Sequence, residues 1–248
     1  MDDAALIAWL SELAPGSRKP LLEKLEPQER RELRYFWELW ARPEQLPPPG
    51  EWSVWLICAG RGFGKTRAGA EWVRQVARAN PDARIALIGA SLGEARSILV
   101  EGESGLLAVS PPYRRPVFEP SLRRIVWPNG AQAYLYSAAE PESLRGPQHS
   151  HAWCDEIAKW DNAGSRATQA WDNLMMGLRL GEEPRVVATT TPRPVPLMMR
   201  LLKGEAEGDT IVGRGTSYDN AQNLPARFLK EMRRSFGQTA LGRQELEG

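Results

Sequence analysis

The stretch Ala59-Gly60-Arg61-Gly62-Phe63-Gly64-Lys65-Thr66 sets the fold class. It fits the phosphate-binding pattern G-x-x-x-x-G-K-[ST], with alanine in place of the first glycine. Glycines let the backbone turn tightly, so that its N–H groups converge on phosphate oxygens. A helix starting at the end of such a loop adds its N-terminal partial positive charge. In this setting Gly60, Arg61, Gly62, Phe63 and Gly64 form the cradle. Lys65 reaches the β- and γ-phosphates, and Thr66 places its hydroxyl on Mg²⁺. ATP is the expected substrate, with Mg²⁺ as its cofactor.

The flanks suit the loop. Val54–Ala59 reads as a short buried strand, and Lys65 to about Ala79 as a helix. Further strands are expected at Arg84–Ala90, Ala152–Cys154, Arg185–Thr191 and Thr210–Thr216, with helices after Ala90 to about Glu101, near 165–180, at Leu197–Leu202 and at 225–236. Leu122–Trp127 and Ala131–Ser137 flank Pro128-Asn129-Gly130 and predict a hairpin. Alternating strands and helices make the class α/β, a P-loop NTPase of the ASCE, RecA-like kind. Its sheet is mostly parallel, with helices on both faces. Ahead of it, residues 2–13 and 27–41 read as helices, and Pro43, Pro47, Pro48 and Pro49 break the chain. The expected organisation is a helical N-terminal appendage over 1–50 and an ATPase domain over 51–248.

Trp153-Cys154-Asp155-Glu156 supplies the second signal. Acids at the carboxyl end of a parallel strand face the ligand crevice. Asp155 is expected to hold Mg²⁺ through water, and Glu156 to orient and polarise the attacking water. Arg185-Val186-Val187-Ala188-Thr189-Thr190-Thr191-Pro192 ends a strand in hydroxyls, where a side chain can sense the γ-phosphate. Arg61, inside the loop, and Arg145, ahead of Asp155, compete as the arginine that stabilises the transferring phosphoryl group. His149 and His151, the only histidines, are expected in a solvated loop rather than a metal site.

Composition excludes several classes. The 248 residues carry a net charge of +1, so charge alone gives no nucleic-acid signal. Any DNA contact needs a local patch or a ring of subunits. Arg114, Arg115, Arg123 and Arg124 form a basic stretch that reads as a solvated face before it reads as a DNA channel. The two cysteines, Cys58 and Cys154, read as small buried apolar residues. No apolar run is long enough to span a membrane, and no signal peptide is visible, so cytoplasmic residence is expected.

Three stretches, in this order, resemble the terminase large subunits of tailed phages and gene transfer agents. The first runs from Trp40-Ala41-Arg42-Pro43-Glu44-Gln45 through Lys65-Thr66-Arg67-Ala68-Gly69-Ala70-Glu71-Trp72; the others are Leu144-Arg145-Gly146 before Asp155-Glu156, and Thr189-Thr190-Thr191-Pro192. The resemblance implies Walker A roles for Lys65 and Thr66 and Walker B roles for Asp155 and Glu156. It implies a coupling motif at Thr190 and Thr191, and a glutamine at Gln45 that reads adenine. Arg145 matches an arginine inserted into a neighbour's site, and Arg61 one used within the same subunit. It further implies double-stranded DNA, the portal and procapsid, a small terminase subunit and a homo-oligomeric ring as partners, in the host cytoplasm with transient docking on the procapsid. The family's nuclease domain is expected to be absent from this chain.

A helicase or remodelling ATPase would need a second RecA-like domain, for which 248 residues leave no room. Lys65 and Glu156 argue against a non-hydrolysing assembly module, and Asp-Glu with a threonine-rich strand argues against a small-molecule kinase.

Overall fold

The computed structural model describes Pro20, Glu26, residues 33–160 and 165–236, Thr239 and Leu246. The helix expected over 2–13 lies outside these residues. Among them, eight strands form one sheet in the order β3-β4-β5-β2-β6-β7-β1-β8. The strands are β1 (Val54–Ala59), β2 (Arg84–Gly89), β3 (Val117–Glu119), β4 (Arg124–Val126), β5 (Gln132–Ser137), β6 (His151–Cys154), β7 (Arg185–Thr190) and β8 (Thr210–Gly215). Six of them run parallel, from β5 across to β8. β3 and β4 add an antiparallel edge. The hairpin turns at Asn129-Gly130, where Gly130 takes φ 103° and its N–H donates to the Trp127 carbonyl.

Side chains alternate between two cores, as a strand's period of two requires. Trp55, Ile57, Ile85, Leu87, Trp153 and Val187 face one side, where helix α1 (Lys65–Ala79) contributes Ala68, Ala70, Trp72, Val73 and Ala77. Leu56, Cys58, Ala86, Ile88, Cys154 and Ala188 face the other. There α2 (Arg166–Gly177) packs Trp171 and Leu174, and α3 (Pro196–Glu207) packs Leu197, Met198 and Leu201. A further helix, α4, spans Ala226–Phe236. Both cysteines are free and buried, as expected of small apolar residues.

Several local expectations need correction. The described part of the 27–41 segment is not one helix. Phe36 leaves helical backbone (φ −87°, ψ 89°), and a short helix resumes at Trp37–Trp40. Leu33, Trp37 and Leu39 go inward while Trp40 stays 47% exposed. Residues from this segment share the core: Trp37 belongs to the cluster that holds Trp52, Trp55 and Trp72. The helix after β2 begins at Leu92–Glu94, capped by Ser91, and widens into a π turn over Ala95–Val100. The first hairpin strand is confined to Arg124–Val126, because Arg123 adopts left-handed backbone at φ 50°. β3 has no counterpart among the expected strands.

His149 and His151 are not in a solvated loop. His149 is 2% exposed, and its Nε2 lies 3.1 Å from the Tyr136 hydroxyl. His151 opens β6, with its Nδ1 2.9 Å from the Ser150 hydroxyl and its ring against Trp72. Hydroxyls partner His149 Nε2 and His151 Nδ1, while the buried His149 Nδ1 has no hydrogen-bond partner. Among the described residues no cluster of histidine, cysteine or acid could hold a metal ion.

Candidate nucleotide site

β1 is buried along its whole length and delivers the chain to the carboxyl edge of the sheet. There the backbone reverses through Gly62 and Gly64, at φ 73° and 97°, where a side chain would be strained. Gly64 serves as the N-cap of α1. It also has no room for a side chain, since a Cβ there would meet Gln45 Nε2 at 2.5 Å. Phe63 is 1% exposed and packs so close to Gly215 that a Cβ on Gly215 would overlap its ring.

The loop's carbonyls are fastened by side chains, from Lys65 within it and from residues outside it. Lys65 Nζ donates to Ala59 O at 2.9 Å and to Gly60 O at 3.2 Å. The Ser217 hydroxyl donates to Arg61 O, and Asn220 Nδ2 to Gly62 O at 2.6 Å. Arg42 donates to Phe63 O, and Gln45 Nε2 lies 3.3 Å from Phe63 O and 3.4 Å from Gly64 O. Carbonyls held this way leave the opposite side of the loop to the N–H groups, which is what a phosphate cradle requires.

Lys65, 6% exposed, also donates to the Thr191 hydroxyl at 3.1 Å and lies 3.5 Å from Glu156 Oε1. Glu156 Oε2 accepts from the Thr191 N–H at 3.2 Å. The Glu156 backbone is left-handed at φ 48°, a conformation that costs a non-glycine residue on the order of 1–3 kcal/mol. Asp155, one residue earlier, is 4% exposed, and its Oδ1 accepts from the Thr189 hydroxyl at 2.7 Å. Burial pushes the Asp155 carboxyl up to about 7; the Glu156 charge adds to this, while the Thr189 hydrogen bond, Lys65 and Lys159 oppose it.

The cavity beside the loop measures about 620 Å³. Its walls include Arg61, Gly62, Gly64, Lys65, Thr66, Glu156 and Thr191. A second cavity of about 510 Å³ lies along Arg42, Gln45, Gly64 and Asn220. The strand order explains the convergence. β7 lies between β1 and β6, so its carboxyl end sits between Lys65 and the two acids.

Not every expected residue arrives at the cavity. Thr190 is buried; its hydroxyl accepts from the Ala158 N–H at 3.2 Å and donates to the Thr191 carbonyl at 3.0 Å. It therefore supports the turn after Glu156. Of the expected pair Thr190 and Thr191, only the second lines the cavity, and Thr189, not expected, carries the bond to Asp155. Arg145 is exposed and lies 3.6 Å from Glu142, away from the residues that line the phosphate cavity. Gln45 does reach the loop, but its polar atoms are engaged with backbone: Oε1 accepts from the Arg42 N–H at 3.2 Å. Sequence reasoning missed Lys159, Arg193 and Asn220, all of which line the cavity. For Arg193 a signal existed, a cation two residues after the last threonine of the strand.

Comparison with known proteins places this geometry. No curated protein sequence matches the chain. Among solved structures, the large terminase of a thermophilic bacteriophage superposes with a TM-score of 0.63 at 13% identity, covering 88% of this chain and 52% of that one. The large terminase ATPase domain of Thermus phage P74-26 gives 0.59 at 16% identity, covering 80% and 88% respectively. The HK97 bacteriophage large terminase gives 0.59 at 13%, covering 90% and 50%. The chain thus spans about half the length of the first and third of these proteins. At such identities the likeness is one of fold. The first is also known in complex with ADP and with ATP-gamma-S. Residues 56–248 match the family described as terminase large subunit, T4likevirus-type, N-terminal, and the chain belongs to that family.

Proposed function

We propose that the chain hydrolyses ATP and that hydrolysis drives double-stranded DNA into a viral or virus-like capsid. One observation carries the reading: a buried lysine and a strand-end glutamate meet at the cavity beside the loop, each bonded to Thr191. The nucleotide complexes of the thermophilic bacteriophage terminase support it.

Lys65 would hold the β- and γ-phosphates, against loop N–H groups kept inward by the fastened carbonyls. Glu156 would orient the attacking water and accept its proton. The donor set suits Mg²⁺, with the Thr66 hydroxyl on the cavity wall and the Asp155 carboxylate one residue from Glu156. A bound Mg²⁺ would neutralise charge on the phosphate oxygens. Nearby positive charge favours ionisation of a carboxyl group, so the cation would also bring Asp155 to its anionic form. Arg61, serving its own subunit, is the rival for the charge-stabilising arginine. The exposed Arg145 would serve a neighbour's nucleotide, which requires a homo-oligomeric ring. Double-stranded DNA, the portal and procapsid and a small terminase subunit would be its partners, in the host cytoplasm. No described helix is long and apolar enough to cross a membrane.

Phosphate release measured with and without empty procapsids bearing portals tests this. Stimulation by procapsids is expected, and a chain without ATPase activity in either condition refutes it. Mixing Arg145→Ala with Glu156→Gln subunits should restore activity above either alone in confirmed mixed rings. No rescue, with dead Arg61→Ala rings, assigns the role to Arg61 instead.

A further inference from the structure

We propose that Arg42 and Asn220 are positioning residues that set the phosphate loop's grip on nucleotide, so that the grip depends on two segments outside the loop. This rests on the ATP reading for its ligand but not for its geometry. Arg42 precedes the turn Pro43–Gln45, and Asn220 lies in the turn Ser217–Asn223 that follows β8. The two are 178 residues apart in sequence, yet Arg42 Nη1 donates to Asn220 Oδ1 at 3.0 Å. The other end of the same guanidinium donates to Phe63 O, and its central carbon lies 4.5 Å from the Phe63 ring centroid. Asn220 completes the bridge by donating to Gly62 O.

The consequence comes from peptide geometry. In one peptide unit the C=O and the N–H point in opposite directions. Holding Phe63 O outward therefore aims the Gly64 N–H at the cavity side, while holding Gly62 O keeps the Phe63 N–H turned back to Gly60 O at 3.4 Å, which closes the turn of the loop. Gly62 and Gly64 cannot hold this arrangement by themselves, since glycine has the widest choice of backbone angles. An arginine is suited to the task because its planar fork can donate in two directions at once. Gln45 belongs to the same bracket. Its amide is engaged by Arg42 N, Phe63 O and Gly64 O, which makes it a further support for the loop.

The full chain and three variants test this: Arg42→Met, Arg42→Lys and Asn220→Ala. Hydrogen exchange of the 56–72 segment, without nucleotide, reports the loop directly. Arg42→Met and Asn220→Ala should each speed exchange there by about tenfold, the loss expected for a charged or paired hydrogen bond, while β2 and β5 exchange as before. Steady-state ATPase should show KM raised by about tenfold and kcat changed by less than about threefold, because a static grip is felt equally before and during the reaction. Arg42→Lys keeps the charge and loses the fork, so it should recover part of the Arg42→Met loss and not all of it. Unchanged exchange in a folded Arg42→Met chain overturns the bracket. A fall in kcat with KM unchanged overturns the positioning role. Altered exchange in a chain that binds no nucleotide leaves the bracket standing and refutes the ATP reading instead.

Discussion

The two ends of the parallel strands bury polar side chains for opposite uses. At the carboxyl ends of β1, β6 and β7, Lys65, Asp155, Thr189, Thr190 and Thr191 are buried and bonded across strands. At the amino end of β6 the buried set is His149 and Ser150, with the half-buried His151 beside them. The first set holds groups that carry charge and can trade partners. The second is settled in the neutral form, because burial pushes both histidines down to about 4, with Arg185 adding to the effect on His151. Burial favours neutrality at both ends, and a cavity of about 580 Å³ also opens beside Ser150 and His151; the carboxyl end differs in that a buried lysine there meets a carboxylate. Function follows that difference, not polarity itself.

The largest effect should come from changing one member of the charged end. Glu156→Gln is expected to lower turnover at least about 10²-fold, within the range for a lost general base, while a fluorescent ATP analogue still binds. His149→Gln should leave turnover as it is. Equal losses in both variants would erase the contrast between the ends.

Acidity separates the ends next. The histidines have folded values below their unfolded one, so the stability they allow is complete above pH 6.5 and lost as pH falls toward about 4. Each should contribute roughly 1–3 kcal/mol across that window, measured by urea unfolding at several pH values, and His149→Gln should flatten the slope. Asp155 works the other way. Its folded value is raised to about 7, so its contribution is complete below about 3.8 and lost as pH rises through about 7. Asp155→Asn should remove that alkaline decline. A stability curve equally steep in the variants and the parent would contradict both assignments.

Thr189→Val narrows the contrast to one hydroxyl, which donates to Asp155 and accepts from the Glu156 N–H. It keeps the shape and removes the donor to Asp155, at a cost of about 1–2 kcal/mol in stability, with a turnover that recovers as Mg²⁺ is raised. A variant as stable and as active as the parent would show that the 2.7 Å contact does no positioning. The smallest effect is expected at Gln45. Gln45→Ala should weaken ATP and GTP by a similar factor of about threefold, since one neutral hydrogen bond is worth about 1 kcal/mol. Loss of ATP alone would restore the adenine role.

The sequence made legible whatever depends on neighbours along the chain. The loop, the limits of α1, the six parallel strands and the Asn-Gly hairpin all follow from local rules of turn chemistry and periodicity. What it hid depends on parity or distance. Three consecutive threonines contain no clue to which face each takes, and the resemblance points to Thr190 and Thr191 where Thr189 carries the bond to Asp155. Ser217 and Asn220 reach the loop across 156 and 158 residues of chain, and no local pattern announces them. The histidines escape a local reading because a polar strand end looks like a loop until its partners, Tyr136 and Ser150, are known.

The end of β7 has a further consequence. Three successive residues serve three different addresses: Thr189 the carboxyl of Asp155, Thr190 the turn after Glu156, and Thr191 both Lys65 and Glu156. Because side chains alternate by one residue along a strand, a slip of a single position would deliver each hydroxyl to the wrong client. β7 is pinned against such a slip on both sides, by Cys58 opposite Thr190 and by Cys154 opposite Ala188. The strand thus behaves as a ruler engraved at one end. The scale has no intermediate mark at which to rest, so the three hydroxyls keep their addresses together or lose them together.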